Sequence, residues 1–444
     1  MNIKIKNSGL TQQPHWPDLE KVNQITKMIK EYPNLVSVKE IINLKRQLAN
    51  ASKGDGFILQ GGDCAETFTE FSNDMIQNKL KVLLQMSAIL QYVTKINITK
   101  IGRIAGQFFK PRSSEYEVRD GVKLPAYRGD AINDITFTQE HRTPNPKRLL
   151  QAYHQSSAIM NLIRNLTMGG FTNFTNINSW NLSLQEKSEY VKKYNAIAKQ
   201  INEMINFANV SKDFLSSNIH QNTVYTSHES LVLDYELAFH KYYNKKNYIC
   251  SAHMLWVGDR TRFLDSAHID FVSQIANPIG VKIGPSICIE DIIKLCKKIN
   301  PKNEHGKISL IIRLGINYIN DILPKLIKTI SQNKINVLWL CDPMHGNTIK
   351  SESGLKTRNF DTIKQEIECF FNIHQQQGTI PGGVHFELTG DNVTECTGGI
   401  KNIQDNDLTE HYQTACDPRL NNEQSLEMGF LIAELLQMRR ITSE

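Results

Sequence analysis

The segment FILQGGDCAE, residues 57–66, decides the fold class of this 444-residue chain, because its apolar run ends abruptly on ionisable side chains. Strands buried on both faces of a parallel sheet have such continuous runs, whereas half-exposed strands alternate. Seven further runs of the same kind follow at 100–112, 223–229, 255–260, 279–284, 309–315, 336–345 and 382–390. Eight such strands with reactive side chains at their carboxyl ends predict an α/β fold, the (β/α)8 TIM barrel, with its active site on that face.

Helical segments extend this predicted barrel. Residues 1–56 predict an N-terminal extension of two helices, the second ended by the Gly54-Asp55-Gly56 turn. The alternating NIKIK at its start predicts a strand that pairs with a sheet edge, either in this chain or in a partner subunit. The catalytic barrel then covers residues 57–444, with a helical insertion at about 168–221 between strands two and three. An apolar stripe along 184–208 either packs on the outside of the barrel or forms a regulatory pocket or subunit interface.

Composition excludes several classes of protein. No apolar stretch reaches the roughly 18 residues of a membrane span, and the first residues lack the apolar core of a signal peptide, so we expect a cytoplasmic protein. Eight scattered cysteines without a C-x-x-C pair indicate reduced thiols. The net charge of +6 is mild, and isolated cations at strand ends favour a small anionic substrate over nucleic acid.

Four residues at strand ends or in nearby turns form a predicted metal site. They lie in the segments GGDCAE, CDPMHGN, HFELTGDN and ACDPRLN, and they are Cys64, His345, Glu387 and Asp417. A thiolate, an imidazole and two carboxylates suit manganese, cobalt, iron or zinc, whereas magnesium prefers oxygen ligands. Taken singly, each residue also has an ordinary structural explanation, such as a buried thiol or a turn carboxylate.

Two sets of cations predict two anion sites. Four strands end near Arg103, Arg260, Lys282 and Arg313, and such a convergence needs a compact polyanion or intervening carboxylates. A second set in KPRSS and GLKTR is suited to another phosphate, or else belongs in part to a solvated loop: Lys110, Arg112, Ser113, Lys356 and Arg358. Two anion sites beside one metal predict two phosphorylated substrates joined at a metal-polarised carbonyl.

These residues stand in blocks that resemble one enzyme family almost from end to end. The blocks include LQGGDCAE, GRIAGQFFKPRS, SHESLVLDYE, WVGDRTRFLDSAH, CDPMHGNT and YQTACDPRLNNEQSLE. The chain resembles the class II (plant and bacterial type) 3-deoxy-D-arabino-heptulosonate 7-phosphate (DAHP) synthases, which catalyse the first step of the shikimate pathway. The resemblance implies condensation of phosphoenolpyruvate with erythrose 4-phosphate and release of phosphate.

The resemblance also assigns roles to individual residues. It implies metal ligation by Cys64, His345, Glu387 and Asp417, and phosphoenolpyruvate binding by Arg103, Arg260, Lys282 and Arg313. It implies erythrose 4-phosphate binding by Arg112, Ser113 and Lys356, with Lys110 between the substrates. The expected metal is manganese, with cobalt, iron, zinc or cadmium as alternatives.

Three further features of the sequence lead to separate expectations. Asp259 stands where the family commonly has glutamate, and we expect it to position the water that attacks phosphoenolpyruvate. Cys416 adjoins Asp417, so its sulfur and that of Cys64 are expected to come within disulfide range when metal is absent. The third strand ends at His228-Glu229, for which supporting contacts behind the site are the expectation.

Several alternatives stay open at the level of sequence. The same reaction serves secondary pathways such as phenazine synthesis, a related enzyme uses arabinose 5-phosphate, and a regulatory homologue would lack catalysis. The expected assembly is a homo-oligomer, a dimer or a tetramer. A chorismate mutase partner and an aromatic amino acid effector are compatible with the resemblance, and neither nucleic acid nor membrane is expected as a partner.

Overall fold

The computed structural model describes residues 3–5, 9–168, 192–193, 195–196, 199 and 223–441. Its centre is a closed barrel of eight parallel strands, in which each strand pairs with the next one along the chain and the last pairs with the first. The barrel strands are β1 (Phe57–Gly62), β2 (Ile98–Arg103), β5 (Val224–Glu229), β8 (Met254–Val257), β9 (Ile279–Ile283), β10 (Ile308–Ile312), β11 (Leu338–Cys341) and β14 (Gly383–Glu387). The predicted TIM barrel is therefore confirmed.

Helices surround this barrel and shield the outer faces of its strands. In chain order they are α1 (Leu19–Glu31), α2 (Val38–Lys53), α3 (Asn73–Thr94), α4 (Gln139–Arg142), α5 (Lys147–Met168), α6 (Leu233–Ala238), α7 (Ala267–Ser273), α8 (Ile289–Ile299), α9 (Ile316–Gln332), α10 (Phe360–Gln376) and α11 (Asn422–Ile441). Short 3-10 turns occupy His345–Asn347 and Asp405–Thr409. Among the described helices none is long and apolar enough to cross a membrane.

Short antiparallel hairpins decorate the barrel. They pair β3 (Tyr116–Arg119) with β4 (Val122–Pro125), β6 (His240–Tyr243) with β7 (Lys246–Ile249), and β12 (Ile349–Lys350) with β13 (Lys356–Thr357). Their strands have two to four residues and are largely exposed, so they carry none of the apolar runs by which the barrel strands are recognised.

The N-terminal helices α1 and α2 form where the sequence predicts them. Ser37 and Glu40 make a reciprocal capping box at the start of α2, and Gly54 ends that helix with φ of 92°, a left-handed conformation that favours glycine. Residues 3–5 of the NIKIK segment lie in no strand of this chain, and pairing of the segment with a partner subunit stays a prediction. The backbone of Lys4 instead exchanges two hydrogen bonds with the side-chain amide of Gln274, at 3.0 and 2.8 Å.

Helix α2 plugs the amino-terminal end of the barrel. Leu44, Leu48 and Ala51 on one face of α2 are fully buried. They share one apolar cluster with side chains from six barrel strands, namely Ile58, Ile101, Tyr225, Met254, Trp256, Ile311, Leu338 and Leu340. Without α2 this inner layer would face water, so the extension is part of the hydrophobic core.

The helical stretch predicted at 184–208 lies almost entirely outside the described residues, of which Lys192, Lys193, Asn195, Ala196 and Lys199 are helical. The crossover helix predicted at 146–166 corresponds to α5, and the final helix predicted at 424–438 corresponds to α11.

The plug predicts a measurable contribution to stability. Leu48→Ala should lower the free energy of unfolding by about 2–5 kcal/mol, because it leaves a cavity between α2 and the barrel. Denaturant unfolding, followed by far-ultraviolet circular dichroism, measures this change. Ile42→Ala is the matched control, since Ile42 lies on the same helix and is 43% exposed. Equal effects of the two substitutions would contradict the plug.

Candidate active site

A cavity of about 110 Å³ opens at the carboxyl ends of the barrel strands. Residues at or just beyond all eight strand ends, and from two loops, line it. They are Cys64, Arg103, Gln107, Phe109, Lys110, Pro111, Glu229, Trp256, Gly258, Asp259, Arg260, Lys282, Arg313, His345, Glu387 and Asp417. All four residues of the predicted metal site and all four cations of the first predicted anion site are among them.

Pairing of the first and last strands sets the depth of the site. Gly62 on β1 is in register with Arg103 on β2 and with Glu387 on β14, so the three residues share one level of the barrel. A Cβ atom on Gly62 would lie 2.7 Å from the carbonyl oxygen of Arg103, and the φ of Gly62 is 146°. Glycine is therefore required where the chain turns from β1 towards Cys64.

Glu387 is the buried centre of the acidic donors. Its oxygens lie 3.1 Å from His345 Nε2, 3.0 Å from an Arg103 guanidinium nitrogen and 2.8 Å from an Arg358 guanidinium nitrogen. Burial alone would raise the pKa of this carboxyl, but the neighbouring positive charges outweigh burial and hold the pKa well below its usual range. Glu387 is thus an ionised carboxylate inside the protein.

His345 is oriented by a second carboxylate. Its Nδ1 lies 2.8 Å from Asp342, which leaves Nε2 directed at Glu387 and the cavity. Metal-binding histidines usually have a carboxylate behind the ring in this way, because it fixes the tautomer and the ring orientation.

Asp417 belongs to a loop rather than to a strand, and a buried ion pair holds that loop. Arg419 donates to both oxygens of Glu395 at 3.1 and 2.8 Å, and Glu395 also accepts from the backbone of Gln413. Lys110 and Lys356 contact the two oxygens of Asp417 at 3.0 and 2.6 Å. Burial raises the pKa of Asp417, but these cations and Arg358 lower it further than burial raises it.

The metal-competent atoms form two overlapping groups. Donor atoms of His345, Glu387 and Asp417 lie within 4.8 Å of one another, and so do those of Cys64, Cys416 and Asp417. Asp417 joins the two groups, so sulfur, nitrogen and oxygen donors converge at one point. This donor set fits a divalent transition metal of intermediate softness.

Cys64 and Cys416 are joined as a disulfide, with their Cα atoms 6.6 Å apart. The two sulfurs are therefore within bonding reach, as expected from the sequence. A cysteine binds a metal ion only as a free thiolate, so Cys64 cannot bind a metal ion while it is joined to Cys416.

Carboxylates and one neutral histidine separate the four cations of the first anion site. Arg103 and Lys282 both donate to Nε2 of His385, the latter at 2.8 Å. Burial and the two cations lower the pKa of His385 well below its ordinary value, so its ring accepts as a neutral base. Arg313 lies 3.3 Å from Asp259, whereas Arg260 is exposed at the rim.

Of the residues predicted for the second anion site, only Lys110 lines the cavity. The Arg112 guanidinium is held 2.8 Å from Glu117 and Ser113 is exposed; neither lines the cavity. Lys356 reaches the site through Asp417. The interpretation of Arg358 as a phosphate ligand or solvated loop residue is wrong, because this residue is 0% exposed and forms an ion pair with Glu387.

Glu229 is the residue that sequence reasoning left without a role at the site. It lines the cavity, and its Oε1 is buried without a hydrogen-bond partner in the described part of the chain. Burial raises its pKa, although Lys282, Arg103 and Arg260 oppose the rise. Its position at the end of the third strand was the available signal. His228 points elsewhere and lies 2.7 Å from Glu236.

The fold is a TIM barrel, and four cations line its cavity beside a metal-competent cluster, as in a barrel enzyme suited to small anions. The sequence profile of the class-II DAHP synthetase family matches residues 2–433. Phospho-2-dehydro-3-deoxyheptonate aldolase of Streptomyces coelicolor is 44% identical over 426 residues, which cover 96% of this chain and 94% of that protein. The aldolase AroG of Mycolicibacterium smegmatis is 43% identical over 434 residues, covering 96% and 92%.

The chain therefore belongs to the class-II DAHP synthetase family. It is a transferase with the activity of a phospho-2-dehydro-3-deoxyheptonate aldolase, the first step of the shikimate pathway. Among solved structures, a DAHP synthase of Thermotoga maritima is 14% identical, with a TM-score of 0.36 over 88% of this chain and 69% of that chain.

The pair of Cys64 and Cys416 predicts redox control of metal loading. Peroxide treatment of metal-stripped enzyme should lower the thiol count from eight to six per chain, because the other six cysteines lie unpaired. Thiol titration under denaturing conditions measures this loss. Enzyme loaded with manganese beforehand should keep all its thiols, and Cys416→Ser should keep its capacity to bind metal after peroxide. An unchanged thiol count in stripped enzyme would contradict the prediction.

Proposed function

We propose that the cavity condenses phosphoenolpyruvate with erythrose 4-phosphate, forming DAHP and releasing phosphate. The observation that carries this proposal is the convergence of four cations, each at or beside the end of a different strand, on the cavity that also contains the metal-competent donors. Arg103, Arg260, Lys282 and Arg313 then bind the phosphate and carboxylate of phosphoenolpyruvate.

A divalent metal fits the donors of Cys64, His345, Glu387 and Asp417, and manganese is the proposed ion. When bound there, it supplies Lewis-acid polarisation of the aldehyde oxygen of erythrose 4-phosphate. The preceding buried carboxylate, Asp342, keeps His345 in the orientation that ligation needs.

The residues of the chain hold two anions in register for the carbon–carbon bond. The C3 methylene of phosphoenolpyruvate attacks the aldehyde carbon, water adds at C2, and the resulting tetrahedral carbon expels phosphate by cleavage of its C–O bond. Fixed cations supply most of the catalysis, because they offset the repulsion between substrates and need little reorganisation. Lys110 is the proposed proton donor to the alkoxide formed from the aldehyde oxygen, since burial lowers the pKa of Lys110 despite the nearby Asp417 and Glu387.

Two carboxylates are available to position the attacking water. Asp259, the expected residue, has one oxygen 2.8 Å from Arg262 and the other 3.3 Å from Arg313. Glu229 has a buried oxygen without a partner in the described residues, and it sits among the cations proposed for phosphoenolpyruvate. We therefore propose that Glu229 positions the attacking water and that Asp259 orients Arg313.

The phosphate of erythrose 4-phosphate is proposed to lie beside Lys110, towards Lys356, Arg112 and Ser113. Arg112 and Ser113 follow Lys110 in the same loop, and Arg112 needs only to exchange Glu117 for the substrate phosphate. The Arg112 side chain is 28% exposed, which leaves room for that exchange.

The sequence leaves partners and context as predictions. The proposed function is compatible with four of them but does not depend on any: homo-oligomerisation, a chorismate mutase partner, an aromatic amino acid effector and a cytoplasmic location. The full set of donors and cations supports a catalytic protein over a regulatory homologue.

Disappearance of phosphoenolpyruvate absorbance on addition of erythrose 4-phosphate tests the reaction. We expect turnover that is lost after chelation and restored by manganese, because the metal polarises the aldehyde. Arabinose 5-phosphate should give no turnover. Activity with that sugar alone, or activity unaffected by thorough chelation, would contradict the proposal.

Substitution of the two carboxylates separates their roles. Glu229→Gln should lower kcat by about 10²-fold or more, with little increase in KM for phosphoenolpyruvate, because only the positioning of water is lost. Asp259→Asn should mainly raise that KM, since Arg313 loses its carboxylate. Steady-state kinetics at saturating erythrose 4-phosphate measure both values. The reverse pattern would return the water to Asp259.

A further inference from the structure

A second cavity, of about 230 Å³, lies on the opposite, amino-terminal face of the barrel. The tip of the β6–β7 hairpin, the ends of α7 and α8, and the segments leading into β9 and β10 enclose it. Five lysines and a single glutamate are its charged lining residues, namely Lys45, Lys245, Lys246, Lys302, Lys307 and Glu304. The lining is thus strongly biased towards positive charge.

The glutamate neutralises only part of this charge. Glu304 pairs with Lys45 through one oxygen and lies 3.6 Å from the Lys246 ammonium through the other. Lys245 and Lys302 are exposed, and within the described part of the chain neither has a carboxylate oxygen within 4.0 Å. The ends of α7 and α8 contribute partial negative charge, about half a charge for each full-length helix, which falls short of the surplus.

Lys307 makes the cavity a built site rather than a patch of surface lysines. Its side chain is 5% exposed, and Nζ donates to the carbonyl oxygens of Ile275 and Asn277 at 2.6 and 2.8 Å. These carbonyls are uncharged, and within the described part of the chain no carboxylate oxygen lies within 4.0 Å of the Lys307 ammonium. Burial, together with Lys45 and Lys246, holds the pKa of Lys307 well below its ordinary value, and Glu304 opposes this shift only in part. An anion in the cavity would supply the missing charge.

We propose that this cavity is a binding site for a small phosphate-bearing metabolite, separate from the catalytic centre. Lysine ammoniums act as point charges for phosphate, and a dianion matches several of them at once. Apolar side chains of Ile275, Ile299 and Pro301 complete the walls and can cover the carbon part of such a molecule. A zwitterion fits less well, because its ammonium group would face the lysines.

Equilibrium dialysis with radiolabelled glycerol 3-phosphate, with no other phosphate compound present, tests the site in the full-length enzyme. We expect Lys245→Gln/Lys302→Gln to bind one equivalent per chain less than the wild type, through a loss of affinity of about tenfold or more. Lys325→Gln/Lys328→Gln is the matched control, since both lysines are exposed on α9 and do not line the cavity. Any glycerol 3-phosphate in the catalytic centre binds equally to all three proteins.

Two results would overturn the proposal. The first is the same number of bound equivalents in the wild type and the cavity variant. The second is equal loss in the cavity and control variants, which would show a general effect of charge. Glycerate serves as the carboxylate counterpart and should not bind to the cavity; binding as tight as that of glycerol 3-phosphate would contradict the phosphate assignment. These results do not depend on turnover, so they stand apart from the test of the proposed reaction.

Discussion

The ionised, fully buried carboxylate of Glu387 is the constraint on which the active site depends. It fixes Arg103 and Arg358 on either side and faces His345, so residues from four separate segments are set by one charge. Loss of one partner from a buried pair costs about 3–5 kcal/mol, because the remaining charge stays desolvated. The deep end of the cavity is therefore rigid, as a site needs to be if it is to hold reacting anions in a fixed relation.

Across the mouth of the barrel, too, acceptor groups fix the positions of the cations. Asp342 lies between Lys282 and His345, Asp259 lies between Arg262 and Arg313, and neutral His385 accepts from two cations. The cations can thus stand close together before any substrate arrives. A substrate anion therefore meets cations that are already in position and does not have to reorganise them.

Much of this arrangement follows from local features of the sequence. All eight barrel strands are recognisable because continuous apolar runs mark burial on both faces, and residues at their carboxyl ends must meet. The hairpins are missed because their short, exposed strands have no apolar pattern. Arg358 looks like a loop residue next to Lys356, but it is buried against Glu387, which is 29 residues away in sequence and adjacent only in the fold. The role of Glu229 could be inferred only by combining its position at a strand end with the charges of Lys282, Arg103 and Arg260, which come from three other strands.

The wide separation of the metal-competent residues along the chain has a consequence for biosynthesis. They run from Cys64 in the first barrel turn to Asp417 in a loop after the last strand, and Arg419 and Glu395 hold that loop in place. A nascent chain exposes Cys64 long before the other metal-competent residues have been synthesised. Metal binding by the proposed set of four residues must therefore wait until Asp417 has been synthesised, and until then the Cys64 thiol is exposed to the cellular pool of oxidants and competing soft metals.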